Sequence, residues 1–147
     1  MVGEIFSEDG ARPVVLEGGQ FITKIHCPPP APRTGAVYIK MRSREALDYA
    51  VAGVAARVRL EDACDKCAKA TIVLTGVGSF PVIVPDTVEL WGHALTDAAI
   101  EKVAEAATKL SFPVKNVVGT EPGYRRSMVK LNVERSLREA ARLAAAA

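Results

Sequence analysis

Aromatic residues make up only 5% of the sequence, so a hydrophobic core must be built from alanine, valine, isoleucine and leucine. No run of about 18 or more apolar residues is present, so the sequence offers no membrane-spanning helix of ordinary length. Three cysteines, Cys27, Cys64 and Cys67, cannot form a closed disulfide framework. The opening segment MVGEIFSEDG is acidic and lacks the apolar run of a signal peptide. We therefore expect a protein of the reducing cytoplasm.

A strong charge of one sign is also missing. Lysine and arginine number 19 and aspartate and glutamate 17, which gives a formal net charge of +2. No block of basic residues forms a stripe that follows a nucleic-acid backbone, so nucleic acid is not expected as a partner. The length of 147 residues and the hydrophobic fraction of 49% are ordinary for one globular domain with a short additional arm.

A proline-rich segment, residues 28–35 (PPPAPRTG), divides the chain. Successive prolines stiffen the backbone and donate no hydrogen bonds to a sheet. We therefore separate an N-terminal arm with its linker, residues 1–34, from a main domain, residues 35–147. Within the arm, residues 14–16 and 21–26 flank Gly18-Gly19, and the second segment partly alternates between apolar and polar side chains. This pattern predicts two short strands around a turn.

The first half of the main domain has the pattern of β-strands. Residues 38–41 predict one strand, and residues 54–60 alternate at period two between apolar and other side chains. The segment TIVLTGV, residues 71–77, is rich in β-branched residues. We expect residues 49–60 and 70–77 to form an antiparallel hairpin joined by the polar loop 61–69. A helix over residues 43–58 is the alternative, because that segment is rich in alanine.

The second half has the pattern of helices. Pro85 precedes a short helical turn over residues 86–91, Thr96 is a good N-cap for the next helix, and Pro122 suits the first turn of the last one. An apolar face is expected on the last helix, formed by Tyr124, Met128, Leu131, Leu137 and Ala141. Strands followed by helices predict an α+β fold, with a small antiparallel sheet of about three strands covered by C-terminal helices and preceded by an N-terminal β arm.

Residues 35–54, GAVYIKMRSREALDYAVAGV, and the YRR tripeptide at residues 124–126 carry a family resemblance. In this order and at this separation, they resemble the C-terminal domain of the FAD-binding (medium) subunit of molybdenum hydroxylases, the family of carbon monoxide dehydrogenase and xanthine dehydrogenase. The segments IVLTGVGSFPVIV and LTDAAIEKVAEAA are similar to a strand and a helix of the same domain. The resemblance implies one component of an oxidoreductase, not an enzyme by itself.

The resemblance also implies cofactor-binding positions, since this strand region lines the flavin ring in the family: Tyr38, Lys40, Asp48 and Tyr49. A lysine beside the ring would stabilise the reduced, anionic flavin, and an aromatic side chain can cover a ring face. The alternative is that Lys40 is a solvated cation and Tyr49 a core residue. No serine–histidine–aspartate or paired-carboxylate arrangement indicates a catalytic residue.

The glycine-rich loops that hold the FAD diphosphate in the family's N-terminal half have no match here. Gly76-x-Gly78 follows a strand, but it lacks a third glycine and precedes Pro81. The resemblance therefore implies FAD shared with a partner chain that carries the flavin-binding N-terminal half. It also implies an iron–sulfur subunit and a molybdenum-cofactor subunit as partners, which this domain would hold in range for electron transfer.

Other residues allow competing interpretations. Arg42, Arg44, Arg125 and Arg126 either contact partner subunits, brace the domain or are ordinary surface cations. Cys64-x-x-Cys67 has the spacing of a zinc or redox site but lacks a second ligand pair, so two exposed loop cysteines are the favoured interpretation. Two rival functions follow: an assembly module of the same fold without flavin contact, and a small metal or redox protein built on the cysteine pair.

Overall fold

The computed structural model describes residues 2–44, 48–113 and 120–147. In these residues the chain begins with a short 3₁₀ helix, Val2–Ile5, and forms four strands, β1 (Thr34–Met41), β2 (Ala52–Leu60), β3 (Cys67–Thr75) and β4 (Val82–Ile83). A second 3₁₀ helix, Pro85–Leu90, leads to two α-helices, α1 (Asp97–Lys109) and α2 (Pro122–Ala146). Within the described residues no helix is long and apolar enough to cross a membrane.

The strands form one antiparallel sheet in the order β1-β2-β3-β4. The predicted α+β class and the hairpin are confirmed, and the alternative helix over residues 43–58 is wrong, because β2 occupies its second half. β3 starts earlier than expected, since Cys67 already pairs with Leu60 after a register shift. The two-residue strand β4 adds a fourth member to the three strands that were expected.

The two faces of the sheet have different surroundings because side chains alternate along each strand. One face is covered by α2, which packs on β1 and β2, and it holds the core side chains Val54, Val58, Ile72 and Leu74. The other face carries Tyr38 and Lys40 of β1 and is open in the described residues. Side chains on this outer face therefore lie on a sheet whose other face is well packed.

The helices begin where the sequence predicted. The Thr96 hydroxyl accepts a hydrogen bond of 3.3 Å from the Ala99 N–H, which caps α1, and Pro122 occupies the first turn of α2. The apolar face predicted for α2 is wrong in part. Tyr124 is exposed, whereas the fully buried apolar positions are Val129, Val133, Leu137, Ala140 and Ala144. Small side chains face the sheet because they allow α2 to lie close to β1.

The N-terminal arm holds one antiparallel bridge, but the two strands predicted within it, over residues 14–16 and 21–26, are wrong. Val14 forms only an isolated bridge with Phe6, and residues 21–26 form no strand. Gly18 and Gly19 do form a turn, with Gly19 at φ +89°, but a hairpin needs a further element that buries its apolar face. That element is absent from the described residues, and Phe21 is 77% exposed. The alternation of apolar and polar side chains in the arm therefore does not produce a strand, because no described element buries its apolar face.

Candidate functional site

A cleft of about 560 Å³ opens at the end of the outer sheet face where β1 and β2 are joined by the segment after Met41. The described residues that line it are Tyr38, Lys40, Arg44, Asp48, Tyr49, Ala50, Thr75 and Gly76. All four cofactor-binding residues suggested by the sequence thus meet in one place, although residues 45–47 of the same segment lie outside the described part of the chain.

Tyr38 and Lys40 are neighbours on the outer face of β1, opposite Ala55 and Gly53 of β2. The Tyr38 hydroxyl lies 3.2 Å from the Thr75 hydroxyl, so its ring reaches across Gly53 to β3. A β-carbon on Gly53 would collide with the Thr75 hydroxyl and would lie 2.6 Å from the Tyr38 hydroxyl, which explains why a glycine occupies the strand interior. Sequence reasoning missed Gly53 and Thr75, although a glycine inside a strand is a signal of close approach.

The Asp48 carboxylate fixes the backbone of the segment that forms one wall of the cleft. It accepts hydrogen bonds from the backbone N–H groups of Tyr49 (2.8 Å) and Ser43 (3.2 Å), and the Arg44 guanidinium lies 3.6 Å away. Its side chain is only 4% exposed. Desolvation by itself would raise the pKa of Asp48, but these hydrogen bonds and the Arg44 charge together lower it below the ordinary value. Asp48 is therefore an anion that fixes the position of Tyr49.

Tyr49 is 93% exposed at the rim of the cleft, so the alternative that it is a core residue is wrong. Asp48 fixes the backbone of Tyr49, and the exposed aromatic ring is available to cover a planar ligand. Lys40 is exposed on the adjacent strand and has no ion pair with a described residue. The cleft therefore combines two exposed aromatic rings with a cation that forms no ion pair with a described residue.

Arg125 supports the cleft from the side of the sheet that α2 covers. This residue of α2 is buried, and it donates hydrogen bonds to the backbone carbonyls of Val51 (2.9 Å) and Gly76. The two carbonyls belong to the segments that enter β2 and leave β3, so one guanidinium ties the helix to both. Arg125 therefore braces the domain, as one of the interpretations held. Arg126 donates to the Ser111 carbonyl at 3.3 Å.

The two cysteines do not share an exposed loop, contrary to the favoured interpretation. Cys67 is the first residue of β3 and is fully buried, whereas Cys64 is half-buried and its thiol donates to the Glu61 carboxylate at 3.0 Å. The Cys67 sulfur lies in the core because it behaves as a small apolar group. Within residues 2–44, 48–113 and 120–147, no three histidine, cysteine, aspartate or glutamate side chains come together to hold a metal ion.

Comparison with known proteins adds an independent result. Residues 36–140 match the family model of the CO dehydrogenase flavoprotein C-terminal domain. The carbon monoxide dehydrogenase medium chain of Afipia carboxidovorans is 32% identical over 132 residues, which are 89% of this chain and 44% of that protein. The chain thus spans less than half the length of this relative.

Solved structures agree. Reconstituted CO dehydrogenase from Oligotropha carboxidovorans superposes with a TM-score of 0.84 at 27% identity, over 95% of this chain and 48% of the matched chain. Carbon monoxide dehydrogenase from Hydrogenophaga pseudoflava, in a form that lacks the Mo-pyranopterin moiety, superposes with a TM-score of 0.71 at 27% identity. This match covers 77% of this chain and 38% of the matched chain. With the family model matching most of the chain, this protein belongs to the CO dehydrogenase flavoprotein C-terminal domain family.

Proposed function

We propose that this domain covers the flavin of a molybdenum-hydroxylase-type oxidoreductase and makes or breaks no bonds itself. The observation that carries the proposal is the convergence of Tyr38, Lys40, Asp48 and Tyr49 in one cleft. Tyr38 and Lys40 lie on β1, Asp48 and Tyr49 lie in the segment that returns to β2, and the β1–β2 hairpin brings all four to one end of the sheet. A family resemblance in the same residues supports a binding role rather than a structural one.

The side chains of the cleft fit an isoalloxazine ring. Tyr49 and Tyr38 offer flat apolar surfaces, and a cation at Lys40 would stabilise negative charge on the reduced ring. Bound FAD would supply the redox chemistry, accepting electrons and passing them on. The contribution of this chain would be to orient the ring, to exclude water from one side of it and to set its potential through Lys40.

We further propose that FAD is shared with a partner chain. The sequence has no glycine-rich loop of the kind that cradles a diphosphate, so the larger part of the cofactor would be held by a flavin-binding N-terminal half. Exposed arginines such as Arg42 would face partner carboxylates. In this arrangement the domain docks against an iron–sulfur subunit and a molybdenum-cofactor subunit and keeps the flavin within electron-transfer distance of them.

The rival function is an assembly module of the same fold without flavin contact. The two are separated by Lys40→Met and Tyr49→Ala in the complex that co-purifies with this chain, with Lys66→Met as the control. Lys66 is exposed at the opposite end of the β2–β3 hairpin. A flavin-covering role predicts that Lys40→Met lowers the flavin midpoint potential by ~20 mV for a two-electron couple, equivalent to ~1 kcal/mol, with the complex intact.

Tyr49→Ala is expected to release flavin more readily, and Lys66→Met to change neither property. An unchanged flavin potential and flavin content in both cleft variants, combined with weaker association of the chains, would favour the assembly module. The potential is read by redox titration, the flavin content by absorbance, and the association by size-exclusion chromatography.

A further inference from the structure

A second depression, the β1–α2 groove, lies where the end of β1 passes over the middle of α2. It has a volume of about 400 Å³. Its polar lining comes from the segment at and after the end of β1, namely Lys40, Arg42, Ser43 and Arg44, and from Asn132 and Arg135 of α2. Lys40 and Arg44 border both this groove and the cleft described above, but the α2 residues belong to the groove alone.

The described lining of the β1–α2 groove has positive charge without a matching negative charge. Of its four cations, Arg44 lies near Asp48, whereas Arg42 and Arg135 form no ion pair with any described residue. No carboxylate is among the described lining residues. Two guanidinium groups on separate elements, one on the strand side and one on the helix side, therefore converge on one space.

Asn132 provides the second, independent observation. Its residue is only 2% exposed, and its side-chain nitrogen Nδ2 has no hydrogen-bond partner among the described residues. It is the sole buried side-chain polar atom of the described residues in this condition. A buried donor without an acceptor is unfavourable, so its retention beside the groove points to an acceptor other than the described residues.

We propose that the β1–α2 groove binds an oxyanion. One oxygen accepts a hydrogen bond from Asn132 Nδ2, and Arg42 and Arg135 complete the site with charge-assisted hydrogen bonds, the geometry that guanidinium groups offer to phosphate and carboxylate. Asn132 and Arg135 are three residues apart on α2 and so share one side of the helix. The proposal does not depend on the flavin-covering role of the cleft.

Titration with inorganic phosphate and, separately, with acetate tests the proposal on the full chain. Binding is followed by ³¹P or ¹³C NMR of the probe and by the thermal unfolding midpoint, at constant ionic strength set with chloride. The variants are Asn132→Leu and Arg135→Gln. The control is Arg59→Gln, which removes the same charge from the outer sheet face. Phosphate stabilises many proteins without a site, and the control variant measures that general effect.

Saturable binding of either probe is expected, with ~10-fold or greater weakening in Asn132→Leu and in Arg135→Gln and no change in Arg59→Gln. Tighter binding of phosphate than of acetate would indicate a phosphoryl-bearing ligand. Tighter binding of acetate would indicate a ligand with a carboxylate. Equal effects of Arg59→Gln and Arg135→Gln, or stabilisation that Asn132→Leu retains in full, would overturn the proposal. Arg135 lies on the helix surface, so its variant decides the matter even if Asn132→Leu does not fold.

Discussion

The hydroxyl of Tyr38 lies 3.2 Å from the hydroxyl of Thr75, although the two residues are on strands that do not pair with each other. The contact crosses the central strand β2 at Gly53, the one position there where the absence of a side chain leaves room for the tyrosine ring. Thus Gly53, which has no side chain to offer a ligand, sets the orientation of the Tyr38 ring, a candidate ligand-facing aromatic group.

Gly53→Ala is predicted to displace the Tyr38 ring from Thr75. The new methyl group would collide with the Thr75 hydroxyl and would lie 2.6 Å from the Tyr38 hydroxyl, so one or both side chains must shift, at a cost of about 1–2 kcal/mol in the free energy of unfolding. The Tyr38 ring resonance in a ¹H–¹³C NMR spectrum reports the displacement, because the added methyl group would itself perturb Thr75. Gly18→Ala, where an added β-carbon meets nothing within 4 Å, should leave it unmoved. An unshifted Tyr38 ring signal in Gly53→Ala would refute the described position of the ring over Gly53.

Gly35→Ala is predicted to destabilise the fold more strongly. A β-carbon here would meet the Ala140 carbonyl oxygen and would lie 2.5 Å from the Ala144 nitrogen, and both atoms belong to the backbone of α2. The helix must therefore move away from β1, at a cost of about 1–3 kcal/mol or more. Urea denaturation measures the change, again against Gly18→Ala. Equal stability of the two variants would show that α2 does not approach β1 as closely as described.

Arg125→Met is predicted to lower the free energy of unfolding by ~2–4 kcal/mol, because it leaves the Val51 and Gly76 carbonyls without their donor. The methionine keeps most of the apolar stem, so the loss reports the hydrogen bonds. Urea denaturation of Arg125→Met and of the exposed control Arg59→Gln, expected within ~0.5 kcal/mol of the wild type, provides the comparison. Similar stabilities of the two variants would contradict the bracing role.

The stability of the protein should fall between about pH 9 and pH 11 in a way that depends on Cys67. Desolvation raises the pKa of this buried thiol from 9.0 to about 11, and the Glu61 charge acts in the same direction. The unfolded chain then loses the thiol proton at a lower pH than the folded one, so the contribution is complete below pH 9 and disappears as the pH rises toward 11.

Cys67→Ala is the matched variant for this pH dependence. Unfolding free energies of the wild type and of Cys67→Ala are compared by urea denaturation from pH 8 to about pH 11. Because lysines titrate in both proteins, the difference between the two slopes is the informative quantity. A wild-type curve that runs parallel to that of Cys67→Ala would mean that the thiol is not buried in the folded state.

The sequence predicted those parts of the fold that depend on local patterns. Period-two alternation located β2, and the Thr96 and Pro122 signals located the starts of both helices, because capping and strand burial act over a few residues. The prediction of strands in the arm failed because it depends on distant residues. Alternation around Phe21 gives a strand only if another element pairs with it or covers its apolar face. The buried face of α2 also depends on distant residues, since at Gly35 the backbones of β1 and α2 lie too close together for a β-carbon.

The candidate site was predictable in its members but not in their roles. Tyr38, Lys40, Asp48 and Tyr49 came from a family resemblance, and the structure places them in one cleft. Only its hydrogen bonds show that Asp48 fixes the backbone of the segment around Tyr49. The supporting contact of Arg125 joins residues 74 positions apart in the chain, and no local pattern announces such a contact.

The central claim is that this domain is one part of a flavin-containing oxidoreductase complex. An optical absorption spectrum of material purified from the native host through a tag on this chain tests it most directly. We predict flavin and iron–sulfur absorption bands together with larger co-purifying chains. A colourless chain that purifies alone would contradict the claim and would leave a domain that has kept the fold of the family without its role in electron transfer.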